Sequence, residues 1–411
     1  MDKTRAWIID VNMGYGHQRT AYPLRYLAPD EKVINANDYE SIPLKDKKIW
    51  QSNQKFYEFI SRFKRMPIIG NTVFFAFDYF QKILNFYPRR DLSEPNFILK
   101  NNFALIKKGW GKDLIEKLKN NPLPIISTFF TPAFMAEFFN YPGEIFCIVC
   151  DADVSRTWAP LEPQKSRIKY FAPNQRVVER LELYGVRSEN IFLTGYPLPK
   201  ENINKDDLKN RILNLDPQKK YLSKYNDLVK NYLGDLPEKS DHPLTLMFAI
   251  GGAGAQKDIA LKIIKNLRKK IKNNEIKIII SIGVKTGLKK YFDGDVEIIS
   301  GDNINDYFKN FNSALRKTDI LWTKPSELSF YTAIGLPIII APTIGSQEDF
   351  NRKWLLNLGS GRDQENPDYT SEWLFDGINS GWFSEAAMQG FIEAEKMGVY
   401  NIEKIISQCS G

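Results

Sequence analysis

Short apolar runs alternate with amphipathic stretches along most of this chain. Ala6 to Asp10, Ile125 to Ser127, Ile145 to Cys150, Ile168 to Phe171 and Ile191 to Thr194 each read as a buried strand. The pattern returns at Leu244 to Ile250, Ile276 to Ile282, Val296 to Ser300, Asp319 to Trp322 and Ile338 to Ile340. Helical spacing between these runs predicts helices over Gln18 to Leu27, Asn174 to Tyr184, Lys257 to Lys269 and Ile304 to Leu315. The tail from Trp382 to Ser407 holds at least one more. Strands alternating with helices in both halves predict the α/β class, as two doubly wound parallel-sheet domains.

The stretch from Asp319 to Gly361 reads as one folding unit. After the first strand, Thr323-Lys324-Pro325-Ser326 is a turn, and Leu328, Tyr331 and Ile334 follow helical spacing. Gly335 ends that helix and Pro337 prevents its return. After the second strand, Gln347-Glu348-Asp349-Phe350-Asn351 opens another helix. Ligands of parallel sheets sit at strand carboxyl ends, against helix N-termini. Thr323 to Glu327 and Ser346 to Asn351 both fall on that edge.

Two small-residue loops have a matching position. Gly251-Gly252-Ala253-Gly254-Ala255 follows a strand and precedes a helix. Such a loop lets a phosphate approach backbone N–H groups, and the helix N-terminus adds partial positive charge. It is neither G-x-x-x-x-G-K-S/T nor G-x-G-x-x-G, and a purely structural turn fits it too. Met13-Gly14-Tyr15-Gly16-His17 occupies the equivalent place in the first half. His17 is one of only two histidines, and its imidazole could act as a base or merely cap a helix. His242, in a polar segment, is assigned no role. Cys147 and Cys150 form a C-x-x-C, but residues three apart on a strand point to opposite faces, which argues against a metal or redox site. Asp151-Ala152-Asp153 looks like a metal-binding D-x-D pair without the context such a pair needs. Asp151 also reads as a turn-capping carboxylate.

These motifs, taken in order, resemble GT-B glycosyltransferases. The nearest are the monogalactosyldiacylglycerol synthases and the lipid-linked N-acetylglucosaminyltransferases of cell-wall synthesis. Thr323-Lys324-Pro325, Gly335-Leu336-Pro337 and Gln347-Glu348-x-x-Asn351 match the family's nucleotide-sugar half. Met13 to His17 is similar to its opening G-G-G-H or G-D-G-H loop. Asp151 with Trp158 resembles its T-D-x(n)-W element, and Thr194-Gly195-Tyr196-Pro197 its domain border. Ser326-Glu327 departs from the family's double glycine, and the family's ribose-binding Glu has no clean counterpart.

The resemblance implies GT-B architecture: two Rossmann-like domains facing a cleft. The acceptor domain would cover 1–199 with a returning C-terminal segment, 382–411. Residues 200–243, rich in Lys, Asn and Asp and outside the resemblance, read as a partly helical linker or insertion, and 244–361 would be the nucleotide-sugar domain. It implies inverting transfer from a nucleotide-diphosphate sugar, a UDP-sugar, to a lipid acceptor, with no metal or other cofactor. His17 and Asp151 would be catalytic, with Asp153 a further candidate base. Gly252, Ala253, Gly254, Ala255, Lys324, Glu327, Gln347, Glu348 and Asn351 would bind the donor. Gly14, Gly16 and Trp158 would line the acceptor side. Two alternatives stay open: a nucleotide-sugar epimerase or hydrolase on the same fold, and a non-catalytic lipid- or glycan-binding protein.

Composition narrows the partners. The 411 residues predict two or three domains, and 43% hydrophobic content suffices for sizeable cores. The net charge of +8 favours an anionic partner: a nucleotide diphosphate, an anionic membrane surface or nucleic acid. It is spread along the chain with no nucleic-acid reading motif. Three cysteines make no disulfide framework, and Trp7 to Asp10 reads as a strand rather than a signal peptide. A cytoplasmic protein, peripheral on the inner face of the membrane, is expected. Trp50 to Arg90 mixes aromatic residues with Arg62, Lys64 and Arg65. That composition suits an interfacial amphipathic helix and equally a helical hairpin packed on the core.

Overall fold

A computed structural model describes residues 5–63, 83–251, 256–292, 294–343 and 346–409. Much of the Trp50 to Arg90 stretch lies outside the described residues, including Lys64 and Arg65. Its start is packed: Trp50 is buried edge-on against Trp110, with ring centroids 4.7 Å apart. No helix among the described residues is long and apolar enough to cross a membrane.

The chain forms two compact units. One comprises Met1–Pro197, Ile344–Phe350 and Met397–Gly411, the other Leu198–Thr343 and Asn351–Lys396. The first holds strands β1 (Trp7–Asp10), β2 (Ile34–Asn35), β3 (Ile125–Ser127), β4 (Ile145–Ile148), β5 (Lys169–Ala172) and β6 (Ile191–Leu193). They make one six-stranded sheet in the order β2-β1-β3-β4-β5-β6. The second holds β7 (Thr245–Ala249), β8 (Lys277–Gly283), β9 (Glu297–Ser300), β10 (Ile320–Thr323), β11 (Ile338–Ile340) and β12 (Gly361–Asp363). Its order is β12-β11-β10-β7-β8-β9. Every pairing is parallel. β3, β4, β7, β10 and β11 are buried throughout, as expected of parallel strands covered on both faces. The molecule is therefore α/β with two doubly wound sheets, the pair of Rossmann-like sheets that the GT-B resemblance implies.

Strand order reverses between β1 and β3 in the first sheet and between β7 and β10 in the second. At such a switch the connections leave in opposite directions and open a crevice at the strand carboxyl ends.

Some elements differ from the sequence reading. The helix expected over Gln18 to Leu27 begins earlier, at Tyr15, and is α only to Ala21. Pro23 has no N–H for the next α-type bond, and Tyr22–Leu27 tightens to 3₁₀. The helix expected through Leu328, Tyr331 and Ile334 is also 3₁₀, over Glu327–Ile334. A spacing of three is the 3₁₀ repeat, and all eight residues are buried, so no polar face demands the α period. Gly335 closes it at φ 72, and a β-carbon there would stand 2.4 Å from Leu208 Cδ1. The stretch read as a partly helical linker or insertion does hold helices, Lys205–Leu215 and Leu222–Leu233, and these send Leu208, Ile212, Leu215, Val229 and Leu233 into the second core. Of the tail, Trp382–Glu393 packs in the second core and Gly398–Cys409 in the first.

The amino ends of β7 and β10 share one buried carboxylate. Asp319 Oδ2 accepts from Thr245 N at 2.8 Å and from Asn214 Nδ2 at 3.0 Å. Its Oδ1 lies 3.1 Å from His242 Nε2, whose Nδ1 lies 2.6 Å from Asp241. Arg211, also buried, donates to the carbonyls of Thr318, Ile334 and Gly335. Burial works against a charged His242. The hydrogen bonds and negative charges of Asp319 and Asp241 outweigh it and hold the ring's pKa above its ordinary value. The unfolded chain titrates near about 6.5. Stability from the charged ring is complete below that pH and is lost as pH rises through the higher folded-state value. The urea midpoint of the wild type should fall across that window, and His242→Asn should flatten the fall. An equally steep fall in the variant would assign the pH dependence to another group.

Candidate active site

At the first switch point, β1 and β3 run in register from Trp7↔Ile125 to Ile9↔Ser127. Thr128 N continues the ladder to Ile9 O at 3.0 Å, which fixes the Thr128 carbonyl just beyond the strand end. The chain leaving β1 turns at Gly14, whose φ of 114 suits glycine, and enters the helix Tyr15–Ala21. His17 therefore lies in the first turn of a helix, not in the loop. Its Nδ1 is 2.8 Å from Thr128 O. A carbonyl oxygen only accepts, so Nδ1 carries the proton and Nε2 is the ring's basic atom. Phe129 meets the imidazole edge-on at 4.8 Å between centroids, and Trp158 tilts against it at 6.5 Å. Gly16 is in the same helical turn, and its carbonyl accepts from Thr20 Oγ1 at 2.8 Å.

Asp151 and Asp153 follow β4 and have different surroundings. Asp153 is buried and holds Arg180 through two bonds of 2.8 Å, to Nε and Nη2. That paired carboxylate is a structural ion pair, unsuited to take a proton from substrate. Asp151 is half-buried, one residue beyond Cys150. Cys147 lies within β4, fully buried, and burial pushes its thiol pKa far up. Cys150 lies past the strand end, and its Sγ is 3.4 Å from His17 Nδ1. Trp158 is buried against Phe130, and its carbonyl accepts from Tyr170 Oη at 2.8 Å. Sequence reasoning passed over Asp10, which ends β1. Burial pushes its carboxyl pKa up to about 7, partly offset by the bond from Asn35 Nδ2. An acidic residue closing an apolar strand was the available signal.

At the second switch point, β7 and β10 pair from Leu246↔Ile320 to Ala249↔Thr323. Gly251 follows β7 at φ 75, and Lys324 follows β10. Lys324 Cε lies 3.7 Å from where a β-carbon on Gly251 would stand, so the lysine stem covers the glycine. The helix Lys257–Lys272 starts a few residues on. Its N-cap, Gln256, is buried, and its Oε1 has no hydrogen-bond partner among the described residues. A lysine, a glycine with left-handed φ and a long helix's N-terminus together suit an anion. Gly252, Ala253, Gly254 and Ala255 lie outside the described residues. Glu327 is buried at the first position of its 3₁₀ segment. Asn351, buried in the helix Ser346–Leu358, donates from Nδ2 to Pro325 O at 3.3 Å and so ties that helix to the Lys324-Pro325 turn. Gln347 and Glu348 lie half-buried in the same helix's first turn, among residues grouped with the first unit.

A family model described as "Domain of unknown function (DUF6938)" matches residues 235–300, which span β7, the Gly251 turn and β8. No curated protein matches the chain. Solved structures similar to it include MurG from Acinetobacter baumannii, at 13% identity and TM-score 0.44, covering 76% of this chain and 78% of that one. The glycosyltransferase SnogD from Streptomyces nogalater is similar at 12% identity and TM-score 0.48, over 99% and 100%. A UDP-GlcNAc 2-epimerase from Neisseria meningitidis, bound to UDP-GlcNAc, is similar at 14% and 0.44, over 77% and 82%.

Proposed function

We propose that this chain transfers a sugar from a nucleotide-diphosphate sugar, a UDP-sugar, to a lipid acceptor. The observation that carries the reading is Lys324 lying over Gly251 at the reversal between β7 and β10. A diphosphate there meets a fixed cation, backbone that it can approach closely, and the N-terminus of a sixteen-residue helix. Those groups stabilise the charge that builds on the leaving diphosphate. Gly252, Ala253, Gly254 and Ala255 complete the cradle in this reading. Glu327, Gln347, Glu348 and Asn351 hold the rest of the donor. Gln256 Oε1, a buried acceptor, suits a donor O–H or N–H rather than a phosphate oxygen.

His17 is the proposed base. Its Nδ1–H is committed to a backbone carbonyl, so Nε2 can take the acceptor hydroxyl's proton. Asp151 is the second candidate, on the same sheet edge. Gly14 and Gly16 shape the turn that carries His17, and Trp158 walls the imidazole. The motif order shared with the monogalactosyldiacylglycerol synthases supports a lipid acceptor, inversion and metal-independent transfer. The net charge of +8 supports a peripheral position on an anionic cytoplasmic membrane face.

Calorimetry with UDP-sugars and transfer assays with lipid acceptors test this directly. Lys324→Ala should lose measurable donor binding. His17→Ala should retain it and lose turnover by roughly 10²–10⁴-fold, the usual contribution of a positioned base. A loss below about tenfold, with Asp151→Asn nearly inactive, moves the base role to Asp151. Consumption of UDP-sugar without any acceptor would make the chain an epimerase or hydrolase. No nucleotide binding at all would make it a lipid- or glycan-binding protein.

A further inference from the structure

We infer that Cys150 is a positioning residue for His17: its thiol is the second acceptor for the Nδ1 proton. Three facts on the first sheet's edge carry this. His17 Nδ1 is 2.8 Å from Thr128 O and 3.4 Å from Cys150 Sγ. Cys150 is buried two residues beyond β4, whose neighbour β3 ends one residue before Thr128. Phe129 and Trp158 pack against the imidazole, with centroids 4.8 and 6.5 Å away.

The chemistry follows from what each atom can accept. Thr128 O cannot donate, so a proton must lie on Nδ1 for a 2.8 Å contact to be favourable. Sulfur is a weak acceptor and accepts at longer distances than oxygen. At 3.4 Å it takes the minor share of a three-centre bond without drawing the ring off the carbonyl. Its own proton is a weak donor and does not compete for Nδ1. The pair therefore fixes both the tautomer and the tilt of the ring, and Nε2 becomes the basic atom. The thiol acts through His17 and is not itself a nucleophile. Cys147, three residues earlier inside the strand, has no such part.

The tautomer can be read in the ligand-free full chain. Its two histidines give two imidazole patterns in long-range proton–nitrogen correlation spectra, and His17→Asn identifies which is His17. At about pH 8.5, well above the ordinary histidine pKa, the wild type should show His17 protonated on Nδ1. Cys150→Ala should shift the tautomer ratio toward Nε2–H by roughly two- to tenfold, the span of one modest hydrogen bond. Cys150→Ser keeps an acceptor and should restore the wild-type ratio. Cys150→Val fills the space without an acceptor and should behave like Cys150→Ala. A wild type protonated on Nε2 overturns the inference. So does a Cys150→Ala spectrum equal to wild type, or a Cys150→Val spectrum equal to wild type while Cys150→Ala is not. The consequence for turnover rests on His17 being the base. A chain that turns over no nucleotide sugar would defeat that reading and leave the tautomer result standing. The wrong tautomer in an active transferase would do the reverse.

Discussion

Asp319 joins two strands that are far apart in sequence. One carboxylate oxygen accepts from the first residue of β7, and the chain carrying it leads directly into β10. Its own N–H donates back to Thr245 O at 2.8 Å. With the amino ends pinned in this way, the register from Leu246↔Ile320 to Ala249↔Thr323 follows. That register brings Gly251 and Lys324 out side by side at the other end. A one-residue slip would turn every side chain of β10 to the opposite face. The first sheet meets the same need differently. Thr128 N extends the β1–β3 ladder to Ile9 O, and the same residue's carbonyl receives His17.

Each candidate centre thus lies where strand order reverses. Parallel sheets bury their strands on both faces, so functional groups are confined to the ends. The loops carry the chemistry and the strands set its geometry. Neighbouring residues of one kind come to serve different ends there. Asp153 is held by Arg180, whereas Asp151, two residues earlier, lies outside that pair. Cys147 is sealed within β4, whereas Cys150 lies beyond it and touches an imidazole.

Strands were legible because burial on both faces demands unbroken apolar runs, and every run read as a strand contains one. β2 and β12 were missed because Ile34–Asn35 and Gly361–Asp363 form edges with too few apolar residues to stand out. Residues 205–233 read as partly helical, but their place in the second core stayed hidden behind polar faces, since only Leu208, Arg211, Ile212 and Leu215 of the first helix turn inward. Arg211 is buried because it satisfies carbonyls at two helix ends, which no local pattern announces. The loops themselves were legible as small-residue and Pro/Gly punctuation. Their mutual contacts were not. His17 meets residues 111 and 133 positions away, and such partners follow from sheet order rather than spacing. Asp319 read as the start of a strand, although its side chain ties β7 and Asn214 to that start.

The central claim is that a nucleotide diphosphate binds at the reversal between β7 and β10. A crystal structure of the chain soaked with UDP tests it most directly. The account predicts the diphosphate against Lys324 and the N-terminus of the helix Lys257–Lys272, beside Gly251. A diphosphate bound instead at the carboxyl ends of β1 and β3, or a Lys324 that makes no contact with it, would contradict the account.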